Sequence, residues 1–547
     1  MKDFIESGKA VLGIELGSTR IKAVLTGADN APIAQGASEW ENRHEYGVWT
    51  YSMDAVDAGL RECYRNLAAD VKEKYGAEIR SLRGIGISAM MHGYLAFDKN
   101  MMLLVPFRTW RNTITGEAAD ELTKRFSFNI PQRWSIAHLY QAIKNNEPHV
   151  KDIAFITTLA GYVHYLLSGE KVLGVGDASG MFPIDPAICD YNQGMLDSFD
   201  ELISGPISSG SLLKDIANAL TEERHSSWKI RDILPKVLKA GEDAGTLTED
   251  GAKYLDPSGV LPAGALLCPP EGDAGTGMAA TNSVRERTGN VSAGTSVFSM
   301  GVLEKPLKGV HQEIDVVTTP AGAEVAMVHC NNCTSDLNAW VNIFDEYSKL
   351  MGAPVDKNEI YTKLYTHAME GAADCAGVLA YNFLSGEPVA GTDEGRPMIV
   401  RTPDAEFTLA NFMRANLYSS LAALKLGNDI LSREEDVKVD RLMGHGGLFK
   451  TKGAGQNVLA AALKAPVTCM TTAGEGGAWG IALLAAYRVC VNDGETASLA
   501  DWLDEAVFKD AEGETVQPDP KDVEGFDRFI ESYKKGLAAE KAAVANI

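Results

Sequence analysis

The sequence predicts a layered α/β protein made of two similar halves, and three observations carry that prediction. Short Val, Ile and Leu runs alternate with stretches of helical spacing, as in α/β layers rather than a barrel or bundle. Glycines, 53 in 547 residues, punctuate these runs. One pattern, a strand, a glycine with two hydroxyl residues, and a second strand, occurs twice, about half a chain apart.

The elements follow in chain order. Val11 to Ile14 and Ile21 to Leu25 read as a β-hairpin around Gly17, Ser18 and Thr19. Gly84 to Ser88 and Leu95 to Asp98 read as short strands, Gly116 to Lys124 as an acid-rich helix start, and Ile136 to Asn145 and Leu159 to Leu167 as helices. Ile203 to Ser227, rich in Ser, Gly and acids, reads as a surface excursion. The second hairpin surrounds Gly294, Thr295 and Ser296, which places a boundary near Thr281 and divides the chain into residues 1–280 and 281–547. Two further glycine clusters, Gly444 to Gly447 and Gly474 to Gly477, each precede an Ala-rich helix, the first from Gln456 to Lys464. Tyr533 to Ile547 alternates Lys, Glu and Ala and reads as a solvated helix end. No period of about 20 to 50 residues repeats, so a solenoid is excluded.

Charge and cysteine usage narrow the class. The formal charge of -23 repels phosphate backbones and anionic lipid surfaces, which argues against nucleic acid and membrane as partners. Met1 to Ala10 lacks the apolar segment of a secretory signal, and the longest apolar run, Trp479 to Ala486, is far short of a membrane span. Eight scattered cysteines make no disulfide framework and suit a reducing cytoplasm. Cys330 and Cys333 could form half of a zinc site, but no second pair follows, and buried thiols are the simpler reading.

Several segments carry possible chemistry. Glycine lets the backbone approach an anion, and the amides and hydroxyls that follow donate to phosphate oxygens, so both hairpin turns are either phosphate cradles or ordinary turns. The glycine clusters could hold a nucleotide at a helix start, yet neither matches the P-loop or the dinucleotide fingerprint. Asp273 sits among glycines just after the apolar Ala265 to Leu267, where it could act as a general base or cap the next helix. His92 is a pocket imidazole or a structural histidine. Glu15 interrupts an apolar strand, a costly place for an unpaired charge, and suggests a magnesium or water-mediated role.

In order, these segments resemble the FGGY family of carbohydrate kinases. The matches run from Gly13-Ile-Glu-Leu-Gly-Ser-Thr19 through Met91-His92-Gly93, Thr109-Trp110-Arg111-Asn112, Asn146-Glu-Pro148, Asp177-Ala-Ser-Gly180 and Gly272-Asp273. They continue with Gly294-Thr-Ser296, Gly446-Gly447 and Glu475-x-x-Ala478-x-Gly480. The resemblance implies two ribonuclease-H-like domains, as in sugar kinases, Hsp70 and actin, flanking a cleft where sugar and ATP meet. It implies Asp273 as catalytic base and as a sugar contact beside Met91, His92, Trp110, Arg111 and Asn112. Gly17, Ser18 and Thr19 with Gly294, Thr295 and Ser296 would hold phosphates, Gly446, Gly447 and Asn457 the adenosine, and Glu15 magnesium. The family is often dimeric, so a homodimer is a possible state.

Two positions depart from the family's pattern. Glu15 stands where Asp is usual, and Arg111-Asn112 stand where pentulose kinases usually carry Asn-Asp, which exchanges a carboxylate for a fixed cation. Met91-His92-Gly93 resembles the xylulokinase branch, so the expected acceptor is a ketopentose, D-xylulose or L-ribulose. The alternatives are a glycerol, rhamnulose or other polyol kinase, a non-catalytic sugar or nucleotide sensor, and an actin-like or chaperone-like ATPase.

Overall fold

The computed structural model of the protein describes residues 1–204, 228–470 and 476–547. The chain forms two compact units. The first comprises Met1–Val284, Val316–Glu324 and the described part of Glu475–Asp510. The second comprises Arg285–Asp315, the described part of Val325–Gly474, and Ala511–Ile547. The units are therefore discontinuous, whereas a division at 280/281 names two contiguous stretches. The excursion expected over 203–227 lies, beyond residue 204, outside the described residues.

In the first unit, strands β1 (Val11–Leu16), β2 (Arg20–Thr26) and β3 (Pro32–Glu39) form an antiparallel meander. β4 (Gly84–Ala89) joins β1 in parallel, and β5 (Leu266–Leu267) and β6 (Glu271–Gly272) join β4 in parallel. In the second unit, β7 (Thr288–Ala293), β8 (Val297–Val302) and β9 (Glu324–Cys330) again form an antiparallel meander. β10 (Arg441–His445) lies parallel to β7 and β11 (Val467–Met470) parallel to β10, with β12 (Gly513–Val516) antiparallel at the edge. Both units thus use one connectivity, which gives the repeated hairpin its structural basis. Both hairpins lie where the sequence places them.

The helices cover these sheets. α1 (Met53–Tyr75) starts at Ser52, whose side chain accepts the Ala55 N–H, and ends at Gly76 with φ 61°. Its fully buried Val56, Leu60, Cys63, Leu67 and Val71 recur at helical spacing, so one stripe faces the sheet. α2 (Gly116–Phe126), α3 (Ser135–Lys144), α4 (Leu159–Ser168), the short α5 (Val175–Ala178) and α6 (Asp273–Ala280) are among the other helices of the span up to residue 284. The second unit adds α7 (Leu409–Arg433), α8 (Ala454–Leu463) and α10 (Pro520–Asn546).

α9 (Gly476–Asn492) belongs to the first unit and packs on β1, β4 and α6. A Cβ on Gly13 would collide with the Ala478 carbonyl, and one on Gly480 with the Thr276 carbonyl, so backbones meet here without side chains between them. The apolar run Trp479 to Ala486 is the buried body of this helix. Among the described residues, no helix is long and apolar enough to cross a membrane. The chain's end is the solvated helix end that its pattern predicts, exposed or half-buried from 533 to 547 except at Tyr533 and Glu540. Tyr533 is fully buried and stacks on Tyr381 with ring centroids 4.6 Å apart.

Candidate active site

Strand register brings the first set of candidate residues to one edge. Leu16 pairs with Ala89 and Ala89 with Gly272, so the chain leaves β1 at Gly17, β4 just before Met91-His92, and β6 at Asp273 along the same line. This is the carboxyl edge of the parallel strands, where α/β sheets bind their ligands. Asp273 is the first residue of α6 and follows the N-cap Gly272. Its Oδ1 accepts the Met91 N–H at 3.0 Å. The Asp273 side chain reaches solvent, which a base must do to meet a substrate. Its crowded surroundings push the carboxyl up, while the Met91 and Ala274 amides pull it down.

Three further carboxyl groups lie near it. Half-buried Glu15 accepts the Ala478 N–H at 3.1 Å, and burial pushes it up to about 7, followed by repulsion from Asp273. Asp177 is 1% exposed; its Oδ2 accepts the Thr158 hydroxyl at 2.6 Å and its Oδ1 has no hydrogen-bond partner. Burial pushes Asp177 up to about 7, and Asp273 adds to the rise. Glu271, also 1% exposed, accepts the N–H groups of Gly176 at 3.2 Å and Asp177 at 2.8 Å. Burial and then Asp177 push it up to about 8. Glu271 and Thr158 carry no assignment from sequence reasoning. Their signal, one more carboxylate beside Asp273 and a threonine before an apolar helix, is too common to single out.

His92 has φ 72°, a conformation an L-residue adopts at a cost. Its Nδ1 lies 3.3 Å from the Gly180 carbonyl oxygen, and its ring stacks on Trp134 at 6.2 Å. Because a carbonyl only accepts, Nδ1 carries the proton in that contact.

The hairpin turn is braced from one side. Trp40 Nε1 donates to the Gly17 carbonyl at 2.7 Å, Tyr51 to the Ser18 carbonyl at 2.6 Å, and Trp110 Nε1 to Ser18 Oγ at 3.3 Å. Asn112 spends its amide on the Trp49 backbone and the Thr109 carbonyl, so its bonds are structural. Arg111 lies 4.3 Å over the Trp49 ring and donates to Asn42 at 3.2 Å.

The second unit repeats the arrangement. The Thr334 N–H and hydroxyl donate to the Gly294 carbonyl at 3.0 and 2.6 Å, and the Cys333 N–H to the Thr295 carbonyl at 3.0 Å. The Cys330 to Cys333 segment therefore braces the second turn. Both thiols are buried, and among the described residues no group of three or more His, Cys, Asp or Glu side chains is placed to hold a metal ion. Val291 pairs with Gly444 and Ser292 with His445, so Gly294 and Gly446-Gly447 leave neighbouring parallel strands at the same edge. Gly446 has φ 105° and faces Ala293, whereas Gly447 borders open space. Asn457 is half-buried in the first turn of α8, whose N-cap is Gly453.

Sequence models of the N-terminal and C-terminal domains of the FGGY family of carbohydrate kinases match residues 10–203 and 289–489. The chain belongs to this family. The xylulose kinase of Haemophilus influenzae is 23% identical over 399 residues, 71% of this chain and 72% of that protein. A ligand-bound xylulose kinase from Lactobacillus acidophilus superposes with TM-score 0.74 at 14% identity, covering 98% of this chain and 99% of its own. A gluconate kinase from the same organism gives 0.73 at 15% identity, covering 97% and 99%. The fold is thus the two-domain actin/Hsp70-like α/β fold of FGGY kinases, and the protein is an ATP-dependent sugar kinase.

Phosphoryl transfer of this kind typically uses magnesium, which is commonly held by one or two carboxylates, waters and the substrate's phosphates. Glu15 fits that pattern: it is a hard oxygen donor beside Asp273 and partly open, with Lys22 opposite it in the hairpin.

Proposed function

We propose that this FGGY kinase transfers the γ-phosphoryl group of ATP to the terminal hydroxyl of a ketopentose, D-xylulose or L-ribulose, with Asp273 as general base. The observation that carries the reading is the register that sends Gly17-Ser18-Thr19, Met91-His92 and Asp273 off one sheet edge. The homology to xylulose kinases over most of the chain supports the acceptor class.

The sugar hydroxyl gives its proton to a carboxylate oxygen of Asp273 as its own oxygen bonds the γ-phosphorus, and the bond to ADP breaks. The Met91 amide fixes the base, and the raised basicity of a crowded carboxylate favours taking the proton. Met91, His92 and Trp110 orient the sugar, with Arg111 and Asn112 shaping the wall around Trp49. The first unit, near residues 1–280, carries these groups, and the second, within 281–547, binds nucleotide. Gly17 to Thr19 and Gly294 to Ser296 cradle phosphates, while Gly446, Gly447 and Asn457 contact adenosine. Magnesium would neutralise phosphate charge, with Glu15 holding it directly or through water.

The test is an ADP-release assay with ATP and magnesium against ketopentoses, hexuloses, glycerol and other polyols, beside Asp273→Ala. One pentulose favoured at least about 10-fold in kcat/KM, with its turnover lost in the variant, supports the reading. Preference for glycerol or a hexulose overturns the substrate assignment, and undiminished turnover in Asp273→Ala overturns the base.

A further inference from the structure

We infer that Glu271 is a positioning residue that acts on the sugar through His92. The inference rests on the proposed sugar-binding role of His92 and deepens it.

The geometry is a short relay inside the first unit. Glu271 lies two residues before the base, on β6, with its side chain buried against the segment from Gly174 to Gly180. A Cβ on Gly174 or Gly176 would collide with the Glu271 carboxylate, so the segment is glycine-rich where the acid presses on it. Glu271 takes the Gly176 and Asp177 amides, and the Gly174 N–H donates to the Pro270 carbonyl at 2.8 Å. The opposite side of the segment is held by Thr318, whose N–H donates to Ser179 Oγ at 3.0 Å and whose hydroxyl donates to the Val175 carbonyl at 3.0 Å. At the far end the Gly180 carbonyl meets His92 Nδ1 at 3.3 Å.

That last contact favours the tautomer with the proton on Nδ1. With the proton on Nδ1, a neutral His92 presents Nε2 as an acceptor for a sugar hydroxyl. His92 sits at φ 72°, so its position depends on what surrounds it. His92 lies beyond the end of β4, and the Gly180 carbonyl reaches it from the segment that Glu271 holds, from the same strand that delivers Asp273. One buried acid therefore sets base and sugar contact relative to each other.

Glu271→Gln keeps the shape but replaces an acceptor oxygen with an NH2 that faces a backbone N–H. The expected result is a KM for D-xylulose raised about 10- to 30-fold, the weight of one buried backbone N–H left without its acceptor. kcat and the KM for ATP stay within about 3-fold. In a His92→Ala background the same substitution adds less than about 3-fold, because the route through the imidazole is already gone. Thr318→Val, which loosens the segment from its other face, gives a smaller rise with the same dependence on His92, and serves if Glu271→Gln folds poorly. A readout free of substrate is the nitrogen NMR of the His92 ring, assigned against His92→Gln: mainly Nδ1–H in the wild type, a mixture in Glu271→Gln.

Losses that add fully in the His92→Ala background, a parallel rise in the KM for ATP, or an unchanged ring tautomer would overturn the inference. If the wild type ignores D-xylulose and L-ribulose, the pentulose reading fails by itself. The tautomer measurement still decides the role of Glu271.

Discussion

The backbone N–H of Met91 donates to Asp273 Oδ1 at 3.0 Å, joining the residue before His92 to the first residue of α6. This bond aims the carboxylate without consuming it, since a carboxylate has further lone pairs for a substrate hydroxyl. Asp273→Asn keeps the shape and the Met91 bond but cannot take a proton. kcat is expected to fall by about 10²- to 10⁴-fold. Binding of ATP and sugar, measured by calorimetry, stays within a few-fold.

The contact of α9 with β1 and α6 makes a second prediction, about stability. Gly480 lies against the Thr276 carbonyl with no room for a Cβ, and the listener on the other side is backbone that cannot rotate away. Gly480→Val should destabilise the first unit by about 3 kcal/mol or more, at the upper end of overpacking costs. Val at the exposed Gly494 position would test backbone strain instead, since no atom crowds that glycine. Thermal unfolding of the Gly480 variant, compared with the wild type, reads the effect as a shift of several °C.

Much of this architecture is legible in the sequence, because strand alternation and turn residues are local. The hairpins at 17–19 and 294–296, β4 and α3 all lie where the pattern puts them. The return of residues 476–510 to the first unit is a long-range packing choice, and its local trace is the pairing of small residues in β1 with small residues in α9. In the site, Asp273 stands out through its glycine neighbours. Glu271 does not, because a carboxylate that grips amides across 94 residues looks in sequence like any surface acid. Asn112 shows the converse: its amide is spent on Trp49 and Thr109, bonds that spacing does not reveal.

The buried acids also predict how stability follows pH. Glu271 is raised from 4.5 to about 8 by burial and then by Asp177, so the folded state prefers it protonated. Its contribution is present in full below the unfolded pKa and is lost as pH rises through about 8. Wild-type Tm should therefore fall between about pH 5 and pH 9. Glu271→Gln cannot ionise, so it starts lower at pH 5, having lost an acceptor, and its deficit narrows as pH rises. Calorimetric scans at several pH values check this; a constant deficit would mean that Glu271 does not titrate in this window.

Glu15 brings stability and catalysis into opposition. Its carboxyl is raised to about 7 by burial and by Asp273, so at pH 8 the unliganded protein carries a charge it would shed if it could. Glu15→Gln keeps an oxygen for the Ala478 N–H and removes that charge. The sign follows: at pH 8 the variant's Tm should equal or exceed the wild type's, and the advantage should vanish near pH 5, where the wild-type carboxyl is protonated. Activity should move the other way, with the magnesium concentration for half-maximal rate at fixed ATP rising about 10-fold, because one hard anionic ligand is gone. A variant both more stable at pH 8 and more demanding of magnesium would mark Glu15 as a charge retained for the metal at the expense of the fold. A variant with unchanged magnesium dependence would assign the residue to holding α9 instead.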